Sequence, residues 1–122
     1  MSKTVLVTGA SKGIGRAVAL GLADRGYDVA INDIASEKAG LDSLAAEIQK
    51  KGQRALPVVA DISNHEQVDA MFQKIFSEWE VLDVLVNNAG ILTVSRVEDL
   101  AEEAWDKVFD VNAKGTFLVT KA

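Results

Sequence analysis

Thr4-Val5-Leu6-Val7-Thr8-Gly9-Ala10-Ser11-Lys12-Gly13-Ile14-Gly15 is the stretch whose reading decides the fold. Thr4 to Val7 is a β-branched, strand-forming run, and it closes on Thr8-Gly9. The glycine-rich turn Gly9 to Gly15 follows, and Arg16 to Ala23 then has helical character. Strand, turn and helix in that order open a βαβ unit. In such a turn the backbone N–H groups, together with those of the first helical turn, face an anion and are helped by the helix dipole. Side chains at Gly9, Gly13 or Gly15 would hold the backbone away from a pyrophosphate, and Gly15 also lets the helix lie close to the strand. The spacing Gly-x-x-x-Gly-x-Gly differs from the general Gly-x-Gly-x-x-Gly fingerprint. It is no P-loop either, because no Gly-Lys-Ser/Thr ends it. A purely structural turn is the plain alternative, and the order of elements weighs against it.

Outward from this turn, apolar runs of strand length recur at Asp28 to Ile34, Ala55 to Ala60 and Val81 to Val86. They are almost continuously apolar, as expected of strands covered on both faces. Between them the period becomes helical. Leu41, Leu44, Ala45 and Ile48 fall at i, i+3, i+4, i+7 with Gly52 as a stop, and Val68, Met71, Phe72, Ile75, Phe76 and Trp79 form a longer stripe. Ser63 with Glu66 three residues on predicts a capping box for that helix. The alternation predicts an α/β fold, a Rossmann-type doubly wound parallel sheet in which four strands run in the order 3-2-1-4. Residues 1–122 read as one dinucleotide-binding domain. The last helix places Trp105, Val108 and Phe109 on one face and continues through Phe117-Leu118-Val119 to Lys121-Ala122 without a cap. The fourth strand would have a bare outer edge. Both features predict that the domain is incomplete: either residues follow Ala122, the favoured reading, or another chain supplies the cover.

Composition narrows the function classes. The 122 residues carry a net charge of −5, which disfavours a phosphodiester backbone or an anionic membrane as the main partner. There is no cysteine, so disulfides, thiolate nucleophiles and iron–sulfur ligation are excluded together. No metal-ligand cluster is visible. The first apolar run is too short for a secretory core, no run approaches a membrane span, and a soluble cytoplasmic protein is expected.

A second anchor stands at Asp33, 18 residues after Gly15 and at the end of the second strand. A carboxylate there accepts from both adenosine ribose hydroxyls and repels a 2′-phosphate, which favours NAD over NADP. Asn32-Asp33 also suits an ordinary turn. Lys12 pulls the other way, since a cation in the loop assists a 2′-phosphate; Asp33 is weighted above it, because that carboxylate beside a phosphate dianion would be costly.

With these residues in place, the chain resembles the short-chain dehydrogenase/reductase family along its whole length. Thr8-Gly9-x-x-x-Gly13-Ile14-Gly15 is similar to the family's cofactor loop, which implies cofactor contacts from Gly9, Ser11, Lys12, Gly13, Ile14 and Gly15. Asp61-Ile62 resembles its adenine-contacting pair, although Asp61 also suits a cap before the next helix. Asn87-Asn88-Ala89-Gly90 resembles its Asn-Asn-Ala-Gly signature, with Asn88, Ala89 and Gly90 toward the cofactor. Asn87 is read as a tie between strands. Asn112 resembles the helix asparagine of the catalytic set, beside Val111 on the cofactor side. By spacing from Trp105, Val108 and Phe109 it is predicted on the apolar face, as a buried amide that needs partners. The resemblance implies that it anchors a water in a proton relay; a satisfied core amide is the alternative.

The resemblance implies an NAD(P)-dependent oxidoreductase acting on a secondary alcohol or ketone and commonly assembled as a tetramer. An NADP-linked 3-oxoacyl-carrier-protein reductase and an inactive nucleotide-binding fragment are the other readings. The family's catalytic Ser and Tyr-x-x-x-Lys fall beyond Ala122. The only tyrosine, Tyr27, has Ile31 four residues later, and Ser95 reads as loop. The chain alone is therefore expected to bind the adenosine and pyrophosphate portion without transferring hydride.

Overall fold

A computed structural model describes residues 2–122. Strands β1 (Thr4–Val7), β2 (Asp28–Asp33), β3 (Ala55–Val59) and β4 (Val84–Val86) alternate with helices α1 (Gly13–Asp24), α2 (Lys38–Lys50) and α3 (His65–Glu78). Helices α4 (Glu102–Phe109) and α5 (Thr116–Lys121) follow. All pairings are parallel and the order is β3-β2-β1-β4, as the alternation predicts.

The pleat sends alternate residues to opposite faces, and each face buries a different set. Val5, Val7, Val29 and Ile31 pack with Ala19 and Ala23 of α1 and Leu41, Leu44 and Ile48 of α2. Leu6, Ala30 and Val58 pack on the other face with Val68, Met71, Ile75 and Val119. Each of the larger aliphatic side chains contributes about 1.5–3 kcal/mol by leaving water.

Only β1 and β2 are covered on both faces; β3 and β4, at the edges, are largely half-buried, contrary to the expectation from their apolar composition. The fourth strand is also shorter than expected. Before it, Thr4 N donates to Asp83 Oδ2 at 2.8 Å and Thr4 Oγ1 donates to Val81 O at 2.5 Å, so side-chain ties stand beside a single backbone bond, Asp83 N to Thr4 O at 3.1 Å. On β3, Ala60 N donates inward to Asp33 O, so by alternation the Pro57 nitrogen faces outward. An outer edge with a proline offers no donor at that point to a further strand.

Two helix expectations are corrected. Asn64, not Ser63, caps α3: its side chain accepts from Gln67 N at 3.1 Å. Ser63 is held instead by Asp61, whose Oδ1 accepts from its hydroxyl at 2.6 Å and its amide at 3.0 Å. The last helix is not continuous, because a π-helical turn, Asp110–Gly115, separates α4 from α5. Wider winding there rotates the later residues off the face that a regular 3.6-residue period predicts. Trp105, Phe109 and Phe117 are about half exposed, whereas Val119 is buried.

Candidate functional site

The C-terminal ends of all four strands meet at one cleft of about 520 Å³. Its walls include Gly9, Lys12 and Ile14 from the glycine loop, Asp33 and Glu37 after β2, and Asp61 and Ile62 after β3. Asn88 to Ile91 after β4, with Lys107 and Val111 from the α4 side, complete it.

Local chemistry shapes the loop. Gly9 has φ +62°, a left-handed conformation that costs other residues about 1–2 kcal/mol. A Cβ on Gly15 would overlap the Gly9 carbonyl oxygen and stand 2.5 Å from Asn88 Nδ2. Gly15 is therefore required by contact of the helix with the loop and with Asn88, the close packing expected of it. Behind the loop, buried Thr8 accepts at its hydroxyl from Asn88 N and Ala89 N, both at 3.0 Å. Asn88 Nδ2 donates back to Thr8 O and Gly9 O at 3.0 and 3.1 Å. The tie between neighbouring strand ends is thus made by Asn88. Asn87, expected from sequence to make it, donates instead to Thr120 Oγ1 of α5.

At the start of α1, Lys12 supplies no side-chain cap and the first turn has no acidic residue. The first amides of a helix have no intrahelical acceptor, so this end presents N–H groups and a positive dipole to an outside anion. Ile14 is 76% exposed beside it, an apolar surface on the cleft wall.

Asp33 is partly used. Its Oδ2 accepts from Ser11 Oγ at 2.6 Å and Ser11 N at 3.2 Å, and its Oδ1 accepts from Ile34 N at 2.9 Å. The turn role that Asn32-Asp33 suits is therefore real, and it coexists with a carboxylate on the cleft wall that has further acceptor capacity. Ser11 itself is buried and does not line the cleft; it connects the loop to Asp33. Gly13 and Gly15 likewise stand outside the lining, as the loop's backbone support.

Asn112 departs from expectation. It is exposed, and so are Trp105 and Phe109 on the helix face where the sequence places it: no residue of α4 is buried. Its amide is nevertheless satisfied: Oδ1 accepts from Ile91 N at 2.7 Å and Nδ2 donates to Ile91 O at 2.8 Å. Asn112 thus clamps the segment after β4 to the helix. Gly90 leaves room for that side chain, since a Cβ there would lie 3.2 Å from Asn112 Oδ1. Ile62 is buried in the core and fills the space left by Gly115 while also lining the cleft.

Sequence reasoning missed Glu37 and Lys107. Glu37 ends a short 3-10 turn, Ala35–Glu37, for which no periodicity gives a signal. Lys107 stands four residues before Val111, and that spacing could have placed it on the same side. Tyr27 packs against the core at the opposite end of β2, and Ser95 is exposed with its hydroxyl on Arg96 O. Among the described residues no group of His, Asp or Glu could hold a metal ion, and no helix is long and apolar enough to cross a membrane.

This arrangement has close counterparts. A model of the short chain dehydrogenase family matches residues 3–122. The chain is 44% identical over 117 residues to the 3-oxoacyl-[acyl-carrier-protein] reductase FabG of Staphylococcus aureus, covering 96% of this chain and 47% of that protein. It is 43% identical over 119 residues to a short-chain dehydrogenase/reductase of Armillaria gallica, covering 98% and 46%. A crystal structure of a short-chain type dehydrogenase/reductase from Mycobacterium marinum superposes with TM-score 0.92 at 37% identity, covering 98% of this chain and 47% of that one. The chain thus spans about half the length of the relatives it matches. A glycine loop, a carboxylate after β2 and an Asn-Asn-Ala-Gly segment after β4, met along one cleft of a 3-2-1-4 parallel sheet, agree with the sequence match, and the chain belongs to the short-chain dehydrogenase family.

Proposed function

We propose that these residues form the cofactor-binding half of an NAD-dependent oxidoreductase acting on a secondary alcohol or ketone. The observation that carries this reading is the convergence of the uncapped start of α1, Asp33, Asp61 and Asn88 to Gly90 on one cleft. A dinucleotide fits these walls chemically. Backbone donors at the loop suit the pyrophosphate, Asp33 suits the adenosine ribose, and Asp61, beside the apolar surface of Ile62, suits adenine. Gly90 and Val111 extend the wall toward the nicotinamide end.

The nicotinamide would supply hydride acceptance or donation at the carbinol carbon. The chain's own residues bind and orient. Asn88 holds the loop, Ile14 and Ile62 give apolar cover, and Asn112 fixes Ile91 at the end of the cleft. Asn112 is proposed as the member of the catalytic set on this chain, through a water relay, with its side chain already engaged on Ile91. No tyrosine stands here to exchange a proton with substrate, since Tyr27 lies at the far end of β2. The catalytic Ser and Tyr-x-x-x-Lys are proposed to belong to further residues of a longer, cytoplasmic, tetrameric enzyme.

Calorimetric titration of the chain with NAD tests the reading. Saturable binding with no hydride transfer in an alcohol oxidation assay is expected. Absence of binding, or turnover by these residues alone, would overturn it. An NADP-linked 3-oxoacyl-carrier-protein reductase is the second reading, favoured by the name of the Staphylococcus aureus relative and by Lys12 on the cleft wall. Tighter binding of NADP than of NAD in the same titration would select it.

A further inference from the structure

Lys12 is the one residue of the glycine loop that pulls toward a 2′-phosphate, and the structure shows what restrains it. Its Nζ lies 3.2 Å from Glu37 Oε1, and the other oxygen of that carboxylate, Oε2, lies 3.4 Å from Ser11 Oγ. Ser11 Oγ is the same hydroxyl that donates to Asp33 Oδ2 at 2.6 Å. Two carboxylates from the end of β2 and the 3-10 turn after it therefore converge on one loop hydroxyl, with the loop's cation drawn onto the outer of them. Lys12, Asp33 and Glu37 all line the cleft.

We infer that Glu37 is a second specificity-determining residue at the adenosine end, acting both by its own charge and by occupying Lys12. The inference rests on the dinucleotide reading of the cleft and deepens it. Asp33, Glu37 and Lys12 together carry one net negative charge where a 2′-phosphate would stand. Without Glu37 the same place is neutral, and the ammonium is free to meet the phosphate. Folding gives little reason for the pair. Lys12 is 77% exposed, and ion pairs of such exposure contribute little to stability. The remaining cation against Ser11, Arg16, cannot take the same part. Its guanidinium is held by Glu47, Ser43 and the carbonyls of Ser11 and Gly40, and it is not on the cleft wall.

The test is the ratio of NADP to NAD dissociation constants, measured by calorimetry on the full 122-residue chain. Five forms are compared: the unaltered chain, Glu37→Gln, Glu37→Asp, Lys12→Met and the double variant of Glu37→Gln with Lys12→Met. Glu37→Gln is expected to shift the ratio about tenfold toward NADP, the scale of one charge-assisted hydrogen bond made and one repulsion removed. In the Lys12→Met background the same substitution should recover less than half of that shift. Glu37→Asp, which keeps the charge and shortens the reach, should move the ratio in the same direction by less, and it serves if the glutamine variant folds poorly. A ratio unmoved by both Glu37 variants overturns the inference while leaving NAD binding by the unaltered chain intact. A shift of equal size with and without Lys12 overturns the part assigned to Lys12. Failure of the unaltered chain to bind either nucleotide overturns the cleft reading and this inference together.

Discussion

Asp33 shows how one carboxylate can hold a loop and still face the cleft. Ser11 is buried, and its amide and hydroxyl both end on Asp33 Oδ2. Asp33→Ala would leave a buried amide without a partner, at a cost of about 1–3 kcal/mol. Asp33→Asn keeps one acceptor and removes the charge. Thermal melts should therefore show the alanine variant clearly less stable than the asparagine variant, while calorimetry shows both shifted toward NADP. Equal melting temperatures would mean that Asp33 does not hold the loop. Gly15 behaves differently because its nearest neighbour is backbone and cannot yield. Gly15→Ala is expected to cost about 1–3 kcal/mol by overpacking and to abolish nucleotide binding. A stable Gly15→Ala chain that still binds NAD would show that the loop can move away from α1.

The elements were more legible than their ends. Periodicity locates the strands and the main helices, but caps depend on which side chain happens to meet a free amide. Asn64 meets Gln67 N, so Asn64→Ala should lower stability by about 1 kcal/mol, the usual worth of an N-cap. Ser63→Ala should instead disturb Asp61 and thereby the cleft, with a smaller change in melting. If the serine variant melts lower than the asparagine variant, the capping box expected from sequence is the true one. The π turn from Asp110 to Gly115 is the element that no apolar pattern announces. Within it Asn112 accepts from Ile91 N, so Asn112→Ala should speed hydrogen exchange at the Ile91 amide with a small loss of global stability. Unchanged exchange there would remove the clamp from the account of the site.

At the scale of the molecule, the sheet is asymmetric in its cover. The β3 edge carries Pro57, whereas β4 offers an unpaired edge at half-buried valines and a leucine. Near it in the chain, Leu92, Val94 and Val97 are more than four-fifths exposed. Trp105 and Phe109 pack on each other with ring centroids 4.3 Å apart and about half of each in solvent. Apolar exposure on this scale is disfavoured in water and suits cover by another apolar surface. Sedimentation velocity of the isolated chain should show association that grows with concentration, reduced by Phe109→Lys, which adds charge at a residue outside both core clusters. A chain that stays monomeric at every concentration would show that this surface is tolerated in water.

Sequence alone indicates a parallel α/β sheet and which loops reach its carboxyl edge, and the glycine loop after the first strand selects the order 3-2-1-4. The sheet and its edge follow from local periodicity and from the right-handed parallel crossover, which need no knowledge of distant contacts. That the glycine loop, Asp33, Asp61 and Asn88 to Gly90 gather at one cleft was legible for the same reason, since every strand end in such a sheet arrives at one edge, whereas Val111, on a helix, was expected there only from the family resemblance. How those residues divide their work is settled by the folded chain. Asn88 rather than Asn87 ties the strand ends because its amide faces two carbonyls of the first strand's turn. Asn112 is exposed because nothing covers its helix face, and clamped because both ends of its amide meet the Ile91 backbone. Glu37 enters the site through a turn without periodicity, where its place is set by the partners it meets, Lys12 and Ser11, 25 and 26 residues away along the chain.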